Sequence, residues 1–162
     1  MRKNLLPSVA AWLALMSGAA HGTTTTTPFT VQITIVASCV INSAGTLNFG
    51  NQNVLTSAVP GTSTIQVQCT NTTPYNIGLN AGTAPGATVT TRKMTNAGNT
   101  ISYSLYSNAG MTTNWGNTVG TDTVAATGNG AAQSYTVYGQ VPAQTTPAPA
   151  TYTDTITVTV TY

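Results

Sequence analysis

The C-terminal segment alternates between apolar and threonine side chains, and this alternation limits the possible fold more than any other feature. The apolar positions are Ile156, Val158, Val160 and Tyr162, and the threonines that alternate with them are Thr155, Thr157, Thr159 and Thr161. Successive side chains of a β-strand point to opposite faces, and β-branched residues suit a pleated, half-buried surface. The segment therefore predicts a strand with one buried face and one exposed face.

Shorter runs of the same period recur along the chain. They cover residues 29–35, 65–69, 75–79, 101–105 and 135–141, and Leu47 with Phe49 predicts one further short strand. Loops rich in Gly, Pro and Asn separate these runs, and the chain beyond residue 22 has no helical period. Many short strands with turn signals between them are typical of antiparallel sandwiches and barrels. We therefore predict an all-β fold in one domain.

The N-terminus has the features of a secretory signal peptide. Arg2 and Lys3 precede an apolar run at 9–16, and small residues lead to a cleavage site after Gly22. The apolar run is shorter than the roughly 20 residues that a membrane-spanning helix needs. We therefore assign residues 1–22 to a signal peptide and expect the remainder to be exported.

The predicted mature chain has almost no charge. Its charged residues are Arg92, Lys93, Asp122 and Asp154, which gives no net charge. Nucleic-acid binding needs clustered basic residues, and so does docking on anionic lipid, so neither is expected. The adjacent Arg92 and Lys93 are interpreted as solvated surface.

The same inventory argues against catalysis. The one histidine, His21, lies in the predicted signal peptide, and the chain has no glutamate. Acid–base and metal-dependent mechanisms need titratable groups or ligands that the mature chain lacks. We therefore expect no enzyme activity, no catalytic or metal site and no cofactor.

Two cysteines, Cys39 and Cys69, both lie in the exported part. An even pair in an oxidising compartment predicts a disulfide, and the alternative is two buried thiols. On the chain-entropy account, closing a loop of this length stabilises the fold by roughly 3–4 kcal/mol.

Several motifs along the mature chain resemble those of one known family. They are Ser38-Cys39-Val40, Gly45-Thr46-Leu47-Asn48-Phe49-Gly50, Val67-Gln68-Cys69, Tyr103-Ser104-Leu105-Tyr106, Tyr135-Thr136-Val137-Tyr138-Gly139-Gln140-Val141-Pro142 and Tyr152-Thr153-Asp154-Thr155-Ile156-Thr157-Val158. In this order they resemble the spore coat protein U family, whose members include subunits of archaic chaperone-usher pili. Ala150 departs from the family pattern, which often has Gly there, so a positive φ at this position would strain the backbone.

The resemblance implies an immunoglobulin-like β-sandwich, residues 37–162, that lacks its final strand. Residues 152–162 would form its sixth strand beside a hydrophobic groove. A periplasmic chaperone would fill this groove first, and an outer-membrane usher would exchange it for the N-terminal extension, residues 23–36, of the next subunit. The implied donor side chains are Phe29, Val31, Ile33 and Ile35, and the implied groove and chaperone contacts are Ile156, Val158, Val160 and Tyr162.

The function that the resemblance implies is structural. The chain would be a pilus subunit at the cell surface, in a homopolymer or with other pilins, and would support adhesion and biofilm formation. An alternative is a secreted monomeric β-sandwich that binds carbohydrate, or that binds ice through the row of Thr155, Thr157, Thr159 and Thr161. Alternation alone favours pairing of residues 29–35 within their own domain, since most strands pair locally, and only the resemblance favours exchange. Residues 107–131 have no assigned role.

Overall fold

The structure is a computed structural model, and it describes residues 21–162. These residues form eight strands: β1 (Cys39–Ala44), β2 (Val59–Cys69), β3 (Pro74–Leu79), β4 (Arg92–Asn96), β5 (Asn99–Tyr106), β6 (Val124–Thr127), β7 (Ala132–Val141) and β8 (Val158–Thr161). One sheet has the order β1-β2-β7-β5-β4, and the other has the order β6-β3-β8. The all-β prediction is confirmed. Residues 21–162 contain no helix that is long and apolar enough to cross a membrane. The predicted signal peptide falls almost wholly outside the described range.

The β2–β7 pairing is the longest in the larger sheet. Its register runs without interruption from Val59↔Val141 to Gln68↔Ala132. Alternate side chains of β2 point inward, and at its end Ile65, Val67 and Cys69 are buried against the smaller sheet. Cys39 forms a disulfide with Cys69, its register partner on β2. The two sheets therefore enclose an apolar core, and the disulfide joins the two strands at one edge of the larger sheet.

The segment between β5 and β7 joins the two sheets. Trp115 is buried, its Nε1 donates to the carbonyl oxygen of Ile77 at 2.8 Å, and its backbone nitrogen donates to the carbonyl oxygen of Leu105 at 2.9 Å. Ile77 lies on β3 and Leu105 on β5, so this residue bridges the layers. The segment also supplies β6. Residues 107–131 thus close one side of the sandwich.

Arg92 is buried, and its interpretation as solvated surface is wrong. Its side chain is 0% exposed. The guanidinium donates to the carbonyl oxygens of Asn80 at 2.8 Å, Val89 at 2.6 Å, Leu79 at 3.0 Å and Trp115 at 2.7 Å. These carbonyls lie where β3 ends and where neighbouring loops begin, and the planar fork of an arginine reaches several of them at once.

The C-terminal segment is a continuous strand only at its end. Thr153 pairs with Thr95 at the β4 edge of the larger sheet, whereas β8 pairs with β3 through Val158↔Leu79 and Val160↔Ile77. The chain must cross from one sheet to the other between these pairings, so the predicted strand over 152–162 is shortened to Val158–Thr161.

The departure at Ala150 causes no backbone strain. Among residues 21–162, positive φ angles outside glycine occur at Thr72, Ala97 and Met111. Ala150 is not one of them, so its backbone does not need the conformation that only glycine adopts easily.

Candidate acceptor groove

The sandwich is open along one side. β8 has a strand partner, β3, on one side only, and β1 is the outer strand of the larger sheet that contacts β8. A groove of about 530 Å³ lies beside these edges, and its apolar floor and walls include Ile65, Leu79, Leu105, Val137, Ile156 and Val158. An uncovered strand edge next to apolar surface is a template for pairing with another strand. We call this groove the acceptor groove.

The predicted groove residues differ in their placement. Ile156 and Val158 line the acceptor groove. Val160 packs against the core further along β8, and Tyr162 is 60% exposed at the chain end. Leu47, Phe49 and the tyrosine of the C-terminal motif, Tyr152, also line the groove. They were singled out in the sequence as motif residues but were not assigned to it.

Asp154 fixes the start of the C-terminal segment. Its Oδ2 accepts a hydrogen bond from the Tyr103 hydroxyl at 2.7 Å, and its Oδ1 accepts from the backbone nitrogen of Thr83 at 2.9 Å. A Cβ on Gly82 would lie 2.0 Å from the same carboxylate, so glycine is required there. The motif Tyr152-x-Asp154 therefore ties the groove wall to β5 and to the loop that follows β3.

The Tyr103 phenol is held in its neutral form. Burial raises the pKa of Tyr103 above its ordinary value of 10.0, and the hydrogen bond and negative charge of Asp154 raise it further. The pKa of Tyr75 is also raised, first by burial and then by its hydrogen bond to Tyr135. Both phenols therefore retain their protons in the folded chain at a pH where the unfolded chain loses them.

This difference predicts that the fold loses stability in alkali. Below pH 10 both states keep the Tyr103 and Tyr75 protons, and above it the unfolded state binds fewer, so the free energy of unfolding falls by up to about 1.4 kcal/mol per pH unit and per phenol. Urea unfolding of the processed chain between pH 8 and pH 11 measures the slope. We expect Tyr103→Phe to reduce it and the double variant with Tyr75→Phe to reduce it further. An unchanged slope in the double variant would contradict the assignment.

Within residues 21–162, the predicted donor segment belongs to no strand. No strand occurs over residues 21–38. The side chains of Phe29, Val31, Ile33 and Ile35 are 84%, 83%, 82% and 73% exposed. Four consecutive alternate positions with large exposed apolar side chains are unusual in a soluble monomer and indicate an interaction segment.

Leu47 and Phe49 do not form the predicted strand. Residues 45–58 have no strand structure. Both side chains instead lie over Gly61 and Gly139, where an added Cβ would approach Leu47 to 3.1 Å and 2.7 Å respectively. We call Leu47 and Phe49 the glycine-seated plug. A second cavity of about 580 Å³ also borders the plug, and Met94, Ile101 and Val141 line it.

Comparison with known proteins identifies the family. Residues 25–159 match the profile of the Spore Coat Protein U domain, so the chain belongs to that family and the resemblance of its motifs is confirmed. Over 176 aligned positions it is 34% identical to Protein U of Myxococcus xanthus, covering 99% of this chain and 98% of that protein.

A solved structure shares the fold. It is the crystal structure of the CsuC–CsuE chaperone–tip adhesion subunit pre-assembly complex from archaic chaperone-usher Csu pili of Acinetobacter baumannii. The TM-score to a chain of this complex is 0.58 at 27% sequence identity. The match covers 80% of the present chain and 40% of that chain, so this chain spans less than half of its length.

Proposed function

We propose that this chain is an exported structural subunit of a chaperone-usher pilus, in which the acceptor groove of one copy receives residues 29–35 of another. The observation that carries the proposal is the open side of the sandwich, where the free edge of β8 borders an apolar groove. The same chain carries an exposed alternating apolar segment. Strand addition would pair the free edge of β8 and bury the exposed apolar segment, because main-chain hydrogen bonds extend the sheet and alternate side chains fill the groove.

The two parts have the same length in residues. The donor side chains from Phe29 to Ile35 span six residue steps, about 20 Å in a strand. The groove wall from Tyr152 to Val158 also spans six residue steps, over which the chain crosses from the β4 edge to β8. Burial of four such side chains contributes roughly 6–12 kcal/mol as an upper estimate.

The partners follow from this assembly. A subunit with an open core would self-associate or misfold before assembly. A periplasmic chaperone that fills the groove would prevent this. The structural neighbour comes from a complex of a chaperone with a pilus subunit, which supports such a partner. An outer-membrane usher, a homopolymer or co-polymer at the cell surface, and a role in adhesion and biofilm formation complete the proposal.

Deletion of residues 23–36 tests the proposal. The variant keeps residues 1–22 and the whole sandwich, so we expect it to co-purify with the chaperone but to form no fibres when it is the only subunit produced. Electron microscopy of cells that also produce the chaperone and usher gives the readout. A matched control removes only the threonines at 23–27, which leaves the apolar donor positions in place, and should still form fibres. Fibres from the larger deletion would contradict the proposal.

The alternative carbohydrate- or ice-binding function is less well supported. Thr155, Thr157, Thr159 and Thr161 are exposed, but the partners of Thr159 and Thr161 on β3 are Gly78 and Asn76. The threonine row is therefore one strand wide on this side. The row is not continued by threonines on β3.

A further inference from the structure

The glycine-seated plug occupies space that two side chains would otherwise fill. Gly61 and Gly139 are register partners on β2 and β7, and both lie on the inward face of the larger sheet. A Cβ on Gly139 would lie 2.7 Å from Cδ1 of Leu47, and one on Gly61 would lie 3.1 Å from carbons of both Leu47 and Phe49. A contact of 2.7 Å requires movement of Leu47, and contacts of 3.1 Å are tight, so the absence of side chains at Gly139 and Gly61 makes room for the plug in the core.

The plug stands at one end of the acceptor groove. Leu47, Phe49 and Tyr152 line both the acceptor groove and the second cavity, so they lie at the boundary between the two. The ring of Phe49 contacts that of Tyr103 edge-on, with centroids 6.2 Å apart. These contacts between the plug and the core are made by apolar side chains. They lie at the Tyr152 end of the groove.

We propose that the glycine-seated plug is the end wall of the acceptor groove and sets the register of the incoming strand. This inference rests on the proposed function. Every strand pairing in the structure is antiparallel. A donor that extends the smaller sheet in the same sense would run from the Val158 end of the groove towards its Tyr152 end. Ile35, the last of the four donor side chains, then contacts the plug.

The residue that follows on the same face of the donor supports this register. Two positions beyond Ile35 stands Ala37, which has a small side chain, and its own structure leaves it exposed. A larger side chain at this position would meet Leu47 and Phe49 in the neighbouring copy. The small size of Ala37 therefore fits a donor that ends against a fixed wall.

Substitutions of matched size on donor and wall test the register. Each copy carries both surfaces, so the full processed chain is used throughout and each polymer contains the substitution on both sides. We expect Ala37→Phe to lower the amount of SDS-resistant polymer at least tenfold. Adding Leu47→Ala to Ala37→Phe should restore most of it, because the shortened wall makes room for the ring. Val36→Phe, which points to the opposite face of the donor, should stay within twofold of the unsubstituted chain.

The outcomes separate the register from the proposed function. Equal losses for Ala37→Phe and Val36→Phe, or no rescue by the wall substitution, would overturn the register. If Leu47→Ala lowers the yield of folded chain, Leu47→Val is used instead. It keeps more of the side chain and should give a smaller rescue in the same direction. Absence of polymer from the unsubstituted chain would overturn both the register and the proposed function.

Discussion

Replacement of Ile33 by aspartate should abolish polymer formation. In the proposed assembly this side chain enters the acceptor groove between the two sheets, where it packs among apolar residues such as Ile65 and Val137. Burial of an unpaired carboxylate costs several kcal/mol, and each 1.4 kcal/mol weakens an association tenfold. Gel electrophoresis of SDS-resistant polymers and electron microscopy of fibres should both show the loss.

The neighbouring position provides the control. Thr34→Asp adds the same charge one residue further on, where a strand directs the side chain away from the groove. Because both positions lie in an exposed segment of the single chain, neither substitution should change the folding of residues 35–162. Thr34→Asp should therefore polymerise to within a few-fold of the unsubstituted chain. Equal polymer yields from the two variants would contradict the inward assignment of Ile33.

Of the proposed substitutions, replacement of Arg92 by methionine should cause the largest decrease in the free energy of unfolding. Methionine keeps much of the apolar stem but cannot donate to the four carbonyl oxygens that the guanidinium satisfies. Leaving a buried acceptor without a partner costs about 1–3 kcal/mol, so we expect a total loss of about 3 kcal/mol or more. At a typical urea m-value of about 1–3 kcal/mol per molar, the unfolding midpoint should fall by roughly 1–3 M.

Lys93→Met tests whether this loss comes from the buried hydrogen bonds or from the charge alone. Lys93 carries the same charge and is adjacent in sequence but is only half-buried. Its replacement should change the free energy of unfolding by about 0.5 kcal/mol or less, as is usual for surface positions. Similar losses in the two variants would show that the carbonyl cluster around Arg92 contributes little.

Alternation in the sequence was sufficient to predict the strands that carry the core. The runs at 65–69, 75–79, 101–105 and 135–141 fall within β2, β3, β5 and β7. The strands it missed, β1, β4 and β6, are 6, 5 and 4 residues long and carry few large apolar residues. Short strands of this kind are defined by their backbone partners, which a local pattern does not reveal.

Tertiary contacts account for the incorrect interpretations. Leu47 and Phe49 alternate as strand residues do, but their backbone has no strand partner and their side chains fill space above two distant glycines. Arginine is usually a surface residue, yet the Arg92 side chain is surrounded by backbone carbonyls from three separate parts of the chain. The pattern at 29–35 reads the same whether its own domain or another copy covers it, so only the resemblance favoured exchange.

The position of the disulfide has a mechanical consequence for a fibre linked through residues 29–35. Tension along such a fibre would enter each body where the linking segment ends, and Cys39 follows that segment within four residues. Cys39 is the first residue of β1 and is covalently joined to Cys69 at the end of β2, the longest strand. The covalent bond would therefore pass the load from the edge strand directly into β2, which pairs along almost its whole length with the central strand β7, and β1 could not be peeled away one hydrogen bond at a time.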